Sequence, residues 1–249
     1  MLAERNPIDA LNEVISKFNF IDLSPVLEKG IPRWPTHPYL VIDQTVTHEH
    51  DGYYSQTLNM AEHTGAHVDA PAHIHPHMME NTIDKVPVNY LIAPAVVYNL
   101  ESLGLSPGEQ ARAADILILE DEMKTGSRAG DVVLLRFGWQ KYWRTDKMWK
   151  WYAENAPGLD ESAVKLLAER NIRAVGSDTI ACDQAIKDGQ AAKSYGHDVY
   201  WLPNHILILE GLMNLEKLPP RCYFLALPLN IKNGSGSPIR PVALVPKEE

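Results

Sequence analysis

Residues 62–77 of this chain read EHTGAHVDAPAHIHPH. Five of the 10 histidines in the 249 residues fall within this stretch, where an even distribution would place fewer than one. His63, His67 and Asp69 are spaced so that one short segment supplies two imidazole nitrogens and a carboxylate. These ligand types suit Zn²⁺, Mn²⁺ or Fe²⁺. The stretch therefore predicts a metal site.

The backbone around these ligands is expected to be non-helical. Gly65 permits a sharp bend between the two histidines, and Pro71 disfavours a helix through the set. The helical zinc motif His-Glu-x-x-His is absent, because Glu62 precedes His63 and no glutamate follows it. The pattern thus predicts a site on a loop or at a strand edge, and it gives no basis for a metalloprotease.

The histidines at the end of this stretch are weaker evidence for a metal site. His75-x-His77 with Glu80 invites comparison with a cupin metal site, but glycines are missing at the spacing that such a barrel requires. By themselves, His75 and His77 are more typical of surface or half-buried histidines than of ligands.

Apolar periodicity outside this stretch predicts helices and strands along the whole chain. Helical spacing of apolar residues predicts helices at about 7–18 and 159–171. Strands are predicted at 20–24, 40–47, 95–100, 132–137, 172–176, 206–210 and 222–227. Strands outnumber helices and no Pro/Gly/Ser linker divides residues 1–249, so we expect a single α/β domain with a mixed sheet.

The composition excludes several classes of protein. Hydrophobic residues make up 45% and charged residues 22%, which is typical of a globular protein. The net charge of −9, from 23 basic and 32 acidic residues, argues against nucleic-acid or anionic-membrane partners. Cys182 and Cys222 cannot form a disulfide framework, and the sequence shows neither an export signal nor a membrane-spanning run. We therefore expect a cytoplasmic protein.

The run from His63 to His73 resembles the signature of the cyclase family of metal-dependent hydrolases, which includes bacterial kynurenine formamidase and isatin hydrolase. Further landmarks occur in the family's order at 22–24, 34–35, 130–135, 138–139, 157–159, 176–178, 210–212, 214–215 and 236–240. The resemblance covers most of the chain from about residue 20. One departure is Ala66, where the family usually has threonine, and the missing hydroxyl would weaken support for a ligand or leave room for a different substrate.

The resemblance implies roles for individual residues. His63, His67 and Asp69 correspond to metal ligands, and His73 corresponds to the general acid/base. In family members with two ions, the aspartate bridges them, and a later histidine with Glu210 holds the second ion.

Two histidines are candidates for that later ligand. We favour His197, although it lies one residue further from Glu210 than the family spacing leads us to expect. The alternative, His205, falls where the family tends to have a glycine. Asp178 and Asp183 also match a family stretch, and we expect them at most to support the ligands.

The resemblance also implies an activity and an assembly. The expected reaction is hydrolysis of an amide bond in a small cyclic amide or aryl formamide, of isatin or N-formylkynurenine type. One or two zinc or manganese ions per chain would activate water. The N-terminal helix and the total length favour a cyclic amide. The expected fold has a barrel-like mixed sheet flanked by helices, of the swivelling β/β/α type, in a homodimer or homotetramer.

Aromatic side chains are candidates for binding a flat substrate. The candidates are Trp34, Tyr53, Tyr54, Trp139 and Tyr200, of which we select Trp34, Tyr53 and Trp139. Neither cysteine has an obvious base partner and no Gly-x-Ser-x-Gly motif is present, which disfavours a covalent nucleophile. The alternative to an enzyme is a catalytically silent metal-binding or scaffold protein of the same fold. His73 and Glu210 argue against it, because metal storage requires no proton shuttle.

Overall fold

The computed structural model of the chain describes residues 6–184, 186–187 and 189–247. Its helices are α1 (Pro7–Ser16), α2 (His48–Asp51), α3 (Ala113–Met123), α4 (Trp149–Glu154) and α5 (Glu161–Ala168). Its strands are β1 (Phe18–Asp22), β2 (Val41–Val46), β3 (Ser55–Asn59), β4 (His67–Asp69), β5 (Ile92–Asn99), β6 (Gln110–Ala111), β7 (Val132–Arg136), β8 (Gly158–Leu159), β9 (Ala174–Ser177), β10 (Ile186–Lys187), β11 (Gln190–Ala191), β12 (Leu207–Glu210), β13 (Arg221–Leu225), β14 (Gly236–Pro238) and β15 (Val242–Pro246).

Nine of these strands form one curled sheet in the order β1-β15-β13-β5-β7-β9-β12-β4-β14. The central strands β5, β7, β9 and β12 are parallel, and the pairings on either side of them are antiparallel. The sheet is thus mixed and half-barrel in shape, with helices on its flank. This confirms the predicted α/β fold class.

The sheet separates two apolar clusters because successive side chains of a strand point to opposite faces. In β7, Val133 and Leu135 belong to the cluster that includes buried residues of α3 and α5. Val132 and Leu134 belong to the cluster on the other face. The continuous apolar run of β7 is therefore explained by burial on both faces, as is usual for parallel strands.

The sequence patterns predict helix α1 but miss helix α3. α1 begins where the Asn6 side chain accepts from the backbone N–H of Ile8, and its apolar residues Ile8, Leu11 and Val14 are exposed. The sequence patterns do not predict α3. Its four consecutive apolar residues, 116–119, lack helical spacing, and packing against the sheet decides the helix instead.

Among the described residues, no helix has the length and apolar character required to cross a bilayer.

Candidate metal centre

Three segments that are distant in sequence bring the predicted ligands together: residues 63–69, the turn that contains His197, and β12. Strand β4 carries His67 and Asp69, and it pairs with β12 on one side and β14 on the other. His67 lies opposite Glu210, the last residue of β12. His63 lies in the turn before β4, and His197 lies in a single π-helical turn, Gly196–Tyr200. The prediction of a loop or strand-edge site is therefore correct for His63 but wrong for β4, because β4 is paired on both sides.

The ligand atoms form two overlapping groups that share Asp69. One group contains His63, His67 and Asp69, and the other contains Asp69, His197 and Glu210. In each group the potential ligand atoms all lie within 4.8 Å of one another. Imidazole nitrogens and carboxylate oxygens so arranged could hold one or two divalent ions, and Asp69 belongs to both groups.

Short distances connect the two groups. The Asp69 Oδ1 atom lies 2.6 Å from His63 Nδ1 and 3.5 Å from His67 Nε2, while Asp69 Oδ2 lies 3.2 Å from His197 Nε2. Glu210 approaches both rings, since Oε2 lies 3.3 Å from His67 Nε2 and Oε1 lies 3.3 Å from His197 Nε2. All five side chains are at most 9% exposed.

A hydrogen bond on the far side of the His67 ring and an unpartnered oxygen of Glu210 test whether a cation fits here. His67 Nδ1 lies 2.9 Å from the Gly65 carbonyl oxygen, which can only accept, so this nitrogen carries a proton. In the neutral ring, His67 Nε2 is then a bare lone pair that faces carboxylate oxygens. Such an arrangement is favourable only with a proton or a cation between the atoms. The Glu210 Oε1 atom is buried and makes no hydrogen bond of acceptable geometry. The donor set fits a divalent metal.

Electrostatics indicate the same preference for positive charge. Burial would lower the pKa of His67, but the hydrogen bond to Glu210 and the charge of Asp69 outweigh it and raise the pKa to about 9. Burial is likewise outweighed at His197, where Asp183, Asp69 and Glu210 raise the pKa well above its usual value. The carboxylates therefore attract positive charge strongly to these ring nitrogens.

A cavity of about 280 Å³ opens onto these ligands. His73 lies on its wall at the end of the 3-10 turn Pro71–His73, and its ring centroid is 4.0 Å from that of His63. Burial lowers the pKa of His73 to about 4, so the ring is neutral at neutral pH. Its position and protonation state suit a group that accepts a proton.

The aromatic candidates have different positions. Trp34 lines the cavity. Trp139 is buried in the apolar cluster, stacks on Trp151 at 5.2 Å and donates its indole N–H to the Tyr152 carbonyl. Tyr53 follows α2, is 59% exposed and does not line this cavity. Within a single chain, neither Trp139 nor Tyr53 is placed to contact a substrate in the cavity.

The structure also shows where other residues from the sequence analysis lie. His197, and not His205, is brought to the ligands, because His205 ends the turn before β12 with φ +59°. Ala66 is buried with Val68 in the apolar cluster on the other face of the sheet. Asp178 accepts from the backbone N–H groups of three residues after β7: Phe137, Trp139 and Gln140.

Sequence reasoning missed several polar neighbours of the site. His37 lines the cavity, with a ring centroid 5.7 Å from that of His63 and a buried Nδ1 that makes no hydrogen bond. Ser194 contacts His197, and Ser235 contacts His63. No spacing motif marks these residues, because each reaches the site from a separate loop.

The family model described as "Putative cyclase" matches residues 21–184. An isatin hydrolase of Roseibium aggregatum is 29% identical over 245 residues, which cover 91% of this chain and 87% of that protein. A kynurenine formamidase of Geobacillus thermodenitrificans is 29% identical over 226 residues, which cover 89% of this chain and 95% of that protein.

Solved structures show the same fold. Isatin hydrolase A from Labrenzia aggregata, bound to benzyl benzoate, superposes with a TM-score of 0.84 at 26% identity, covering 96% of this chain and 100% of that chain. An isatin hydrolase bound to the product analogue thioisatinate superposes with a TM-score of 0.81 at 26% identity, covering 98% of this chain and 100% of that chain. Sequence match, fold and clustered ligands agree, and the chain belongs to the cyclase family.

Proposed function

We propose that this protein is a metal-dependent amidohydrolase that cleaves a non-peptide C–N bond in a small cyclic amide or aryl formamide. The observation that carries the proposal is the pair of ligand groups sharing Asp69 at a cavity, with the His73 ring beside them. The isatin hydrolase and kynurenine formamidase relatives support this reaction class.

The chain's own residues supply binding and proton transfer. His63, His67, Asp69, His197 and Glu210 would hold one or two divalent ions. Zinc and manganese are the metals that we propose, because both accept mixed nitrogen and carboxylate ligands. A bound ion supplies activation of a water molecule near neutral pH and polarisation of the substrate carbonyl.

His73 completes the reaction as general base and then general acid. Its neutral imidazole takes a proton from the attacking water as the water oxygen bonds to the carbonyl carbon. The C–N bond then breaks, and His73 gives the proton to the departing nitrogen. One water molecule is consumed, and its second proton is released when the new carboxylic acid ionises. A cyclic amide gives one ring-opened molecule that carries a carboxylate and an amine, and an aryl formamide gives formate and an arylamine.

The cavity favours a small, flat substrate. Its volume of about 280 Å³ is near the lower end of the roughly 300–1,000 Å³ of ligand pockets. Trp34 offers an aromatic face, while Ile74, Ile180 and Ala181 supply apolar contacts. We propose isatin-type cyclic amides as the first class to test and N-formylkynurenine-type formamides as the second.

The test compares isatin and N-formylkynurenine as substrates, with and without a chelator, in the wild type and in His73→Ala. We expect turnover of at least one substrate, loss of turnover with the chelator, and restoration by Zn²⁺ or Mn²⁺. His73→Ala should retain its metal and lose about 10²- to 10⁴-fold in kcat. Loss of metal in that variant would instead make His73 a ligand.

A metal-loaded wild type that turns over neither amide would favour the alternative, a catalytically silent metal-binding protein of this fold. We further propose a homodimer or homotetramer, because apolar side chains are exposed on both faces of the β2–β3 hairpin, Val41 on one face and Leu58 on the other, and a second copy would cover apolar surface of this kind. Light scattering of the purified protein measures the assembly directly.

A further inference from the structure

Two serine hydroxyls connect one buried carboxylate, Asp183, and one half-buried carboxylate, Glu62, to two of the candidate ligand histidines. Ser194 lies between Asp183 and His197, and Ser235 lies between Glu62 and His63. We name these two arrangements the Asp183 link and the Glu62 link. They have the same order of groups, although their residues come from unrelated parts of the chain.

The Asp183 link is fully buried. Ser194 Oγ lies 2.8 Å from each carboxylate oxygen of Asp183 and 2.7 Å from His197 Nδ1. The Asp183 carboxylate can only accept, so the Ser194 hydroxyl donates its proton to Asp183. The Ser194 oxygen then accepts a hydrogen bond from His197 Nδ1. The backbone N–H of Gly196 also donates to Asp183, at 2.8 Å, which fixes the carboxylate in place.

The Glu62 link repeats this arrangement at the other ligand group. Ser235 Oγ donates to Glu62 Oε2 at 2.6 Å and lies 2.8 Å from His63 Nε2. The Ser235 backbone N–H donates to the same carboxylate oxygen at 2.9 Å. Because the hydroxyl proton is directed to Glu62, the serine oxygen accepts a proton from His63 Nε2.

The two links determine which nitrogen of each ring is bare. In the neutral ring that binds a metal, His197 carries its proton on Nδ1, which leaves Nε2 facing Asp69 and Glu210 at 3.2 and 3.3 Å. His63 is protonated on Nε2, which leaves Nδ1 facing Asp69 at 2.6 Å. The same device thus exposes Nε2 in one histidine and Nδ1 in the other, and in both cases the bare nitrogen points at the shared aspartate.

We propose that Ser194 and Ser235, held by Asp183 and Glu62, are positioning residues that fix the tautomer and orientation of His197 and His63 for metal binding. The inference rests on the metal-binding part of the proposed function and not on the substrate. Partners of this kind on a ligand imidazole typically change metal affinity by about 10- to 100-fold.

The first test measures binding of Mn²⁺ and of Zn²⁺ alone, by competition with a chelator, in Ser194→Ala and Ser235→Ala. Each variant should bind metal about 10- to 100-fold more weakly than the wild type. Ser194→Thr and Ser235→Thr keep the hydroxyl and should restore most of the affinity.

Ser237→Ala is the matched control. Ser237 is fully buried, accepts from the backbone N–H of Leu229 and donates to the Pro238 carbonyl. Among the described residues, its side chain makes no hydrogen bond to a candidate ligand histidine. This variant should lose stability and keep the metal affinity of the wild type. Alanine variants at 194 and 235 that bind metal as tightly as Ser237→Ala would overturn the inference, as would a wild type that binds neither metal.

A second measurement does not depend on any variant folding. Long-range ¹H–¹⁵N correlation spectra of the Zn²⁺-loaded, histidine-labelled wild type report which ring nitrogen carries the proton. We expect His197 to be protonated on Nδ1 and His63 on Nε2. The opposite tautomer at either residue would overturn the inference.

The result is separable from the proposed reaction. If the serine variants weaken metal binding as expected but the wild type hydrolyses neither amide, the positioning roles stand and the amidohydrolase proposal fails.

Discussion

His67 and Glu210 lie directly opposite each other in the antiparallel pairing of β4 with β12, and His67 Nε2 is 3.3 Å from Glu210 Oε2. Strand pairing therefore brings a candidate ligand of one group against a candidate ligand of the other. Because β12 is also parallel to β9 at the centre of the sheet, the spacing between these two ligands is set by the core of the fold.

Removing either member of this pair should reduce bound metal. Glu210→Gln keeps the side-chain shape but removes the charge at the group formed with Asp69 and His197. If two ions bind, elemental analysis of purified protein should show a loss of roughly one equivalent per chain relative to the wild type.

His67→Ala removes a nitrogen from the group formed with His63 and Asp69, and we expect metal loss there as well. Unchanged metal content in both variants, after reconstitution with Zn²⁺ or Mn²⁺, would contradict the assignment of these residues as ligands.

Gly236 should be intolerant of a side chain, because of its closeness to the site. A Cβ atom built on Gly236 would lie 2.6 Å from His63 Cε1 and 2.6 Å from the Val68 carbonyl oxygen. Gly236→Ala must therefore displace the His63 ring or shift β4. We expect weaker metal binding together with a lower melting temperature, measured by chelator competition and thermal unfolding. Wild-type metal affinity in Gly236→Ala would show that His63 does not need its observed position.

Trp34 and Trp139 should respond differently to substitution. Trp34→Ala removes an aromatic face from the cavity and should raise KM about tenfold, the equivalent of about 1.4 kcal/mol. Trp139→Ala empties a buried site and should lower the free energy of unfolding by about 3–5 kcal/mol with little change in KM. Steady-state kinetics and urea unfolding of both variants distinguish the roles. A KM effect at Trp139 alone would reverse this assignment.

Acid should weaken the ion pair between Glu120 and Arg170, which lies outside the candidate metal centre. Burial alone would raise the pKa of Glu120, but hydrogen bonds from Arg170 and Tyr98 and the charge of Arg170 lower it below the usual 4.5. A lowered folded-state pKa gives stability that is present above pH 4.5 and is lost as the pH falls through the folded value.

Glu120→Gln should therefore be less stable than the wild type at pH 7, and the difference should shrink below about pH 4.5. Urea unfolding of both proteins between pH 3.5 and 7 measures it. Asp121→Asn is a suitable control, because Asp121 is 83% exposed and, within the described part of the chain, forms an ion pair only with Lys124 at the end of α3. A difference that does not vary with pH would exclude the ion pair as its cause.

Local sequence patterns were sufficient for the central strands. The apolar run at 132–137 predicts β7, and 206–210 predicts β12, because strands buried on both faces require apolar residues at every position. The spacing of His63, His67 and Asp69 likewise identifies a ligand set, since these three residues come from one segment.

The sequence by itself determined which residue types could bind a metal and which segments could form the core. Only the tertiary structure decided that Asp69 belongs to both candidate ligand groups, that Glu210 faces His67, and that Ser194 contacts His197 and Ser235 contacts His63. It also placed Trp139 in the core and Trp34 at the cavity. These contacts join residues far apart in sequence, so they depend on strand order and loop paths, which no local periodicity encodes.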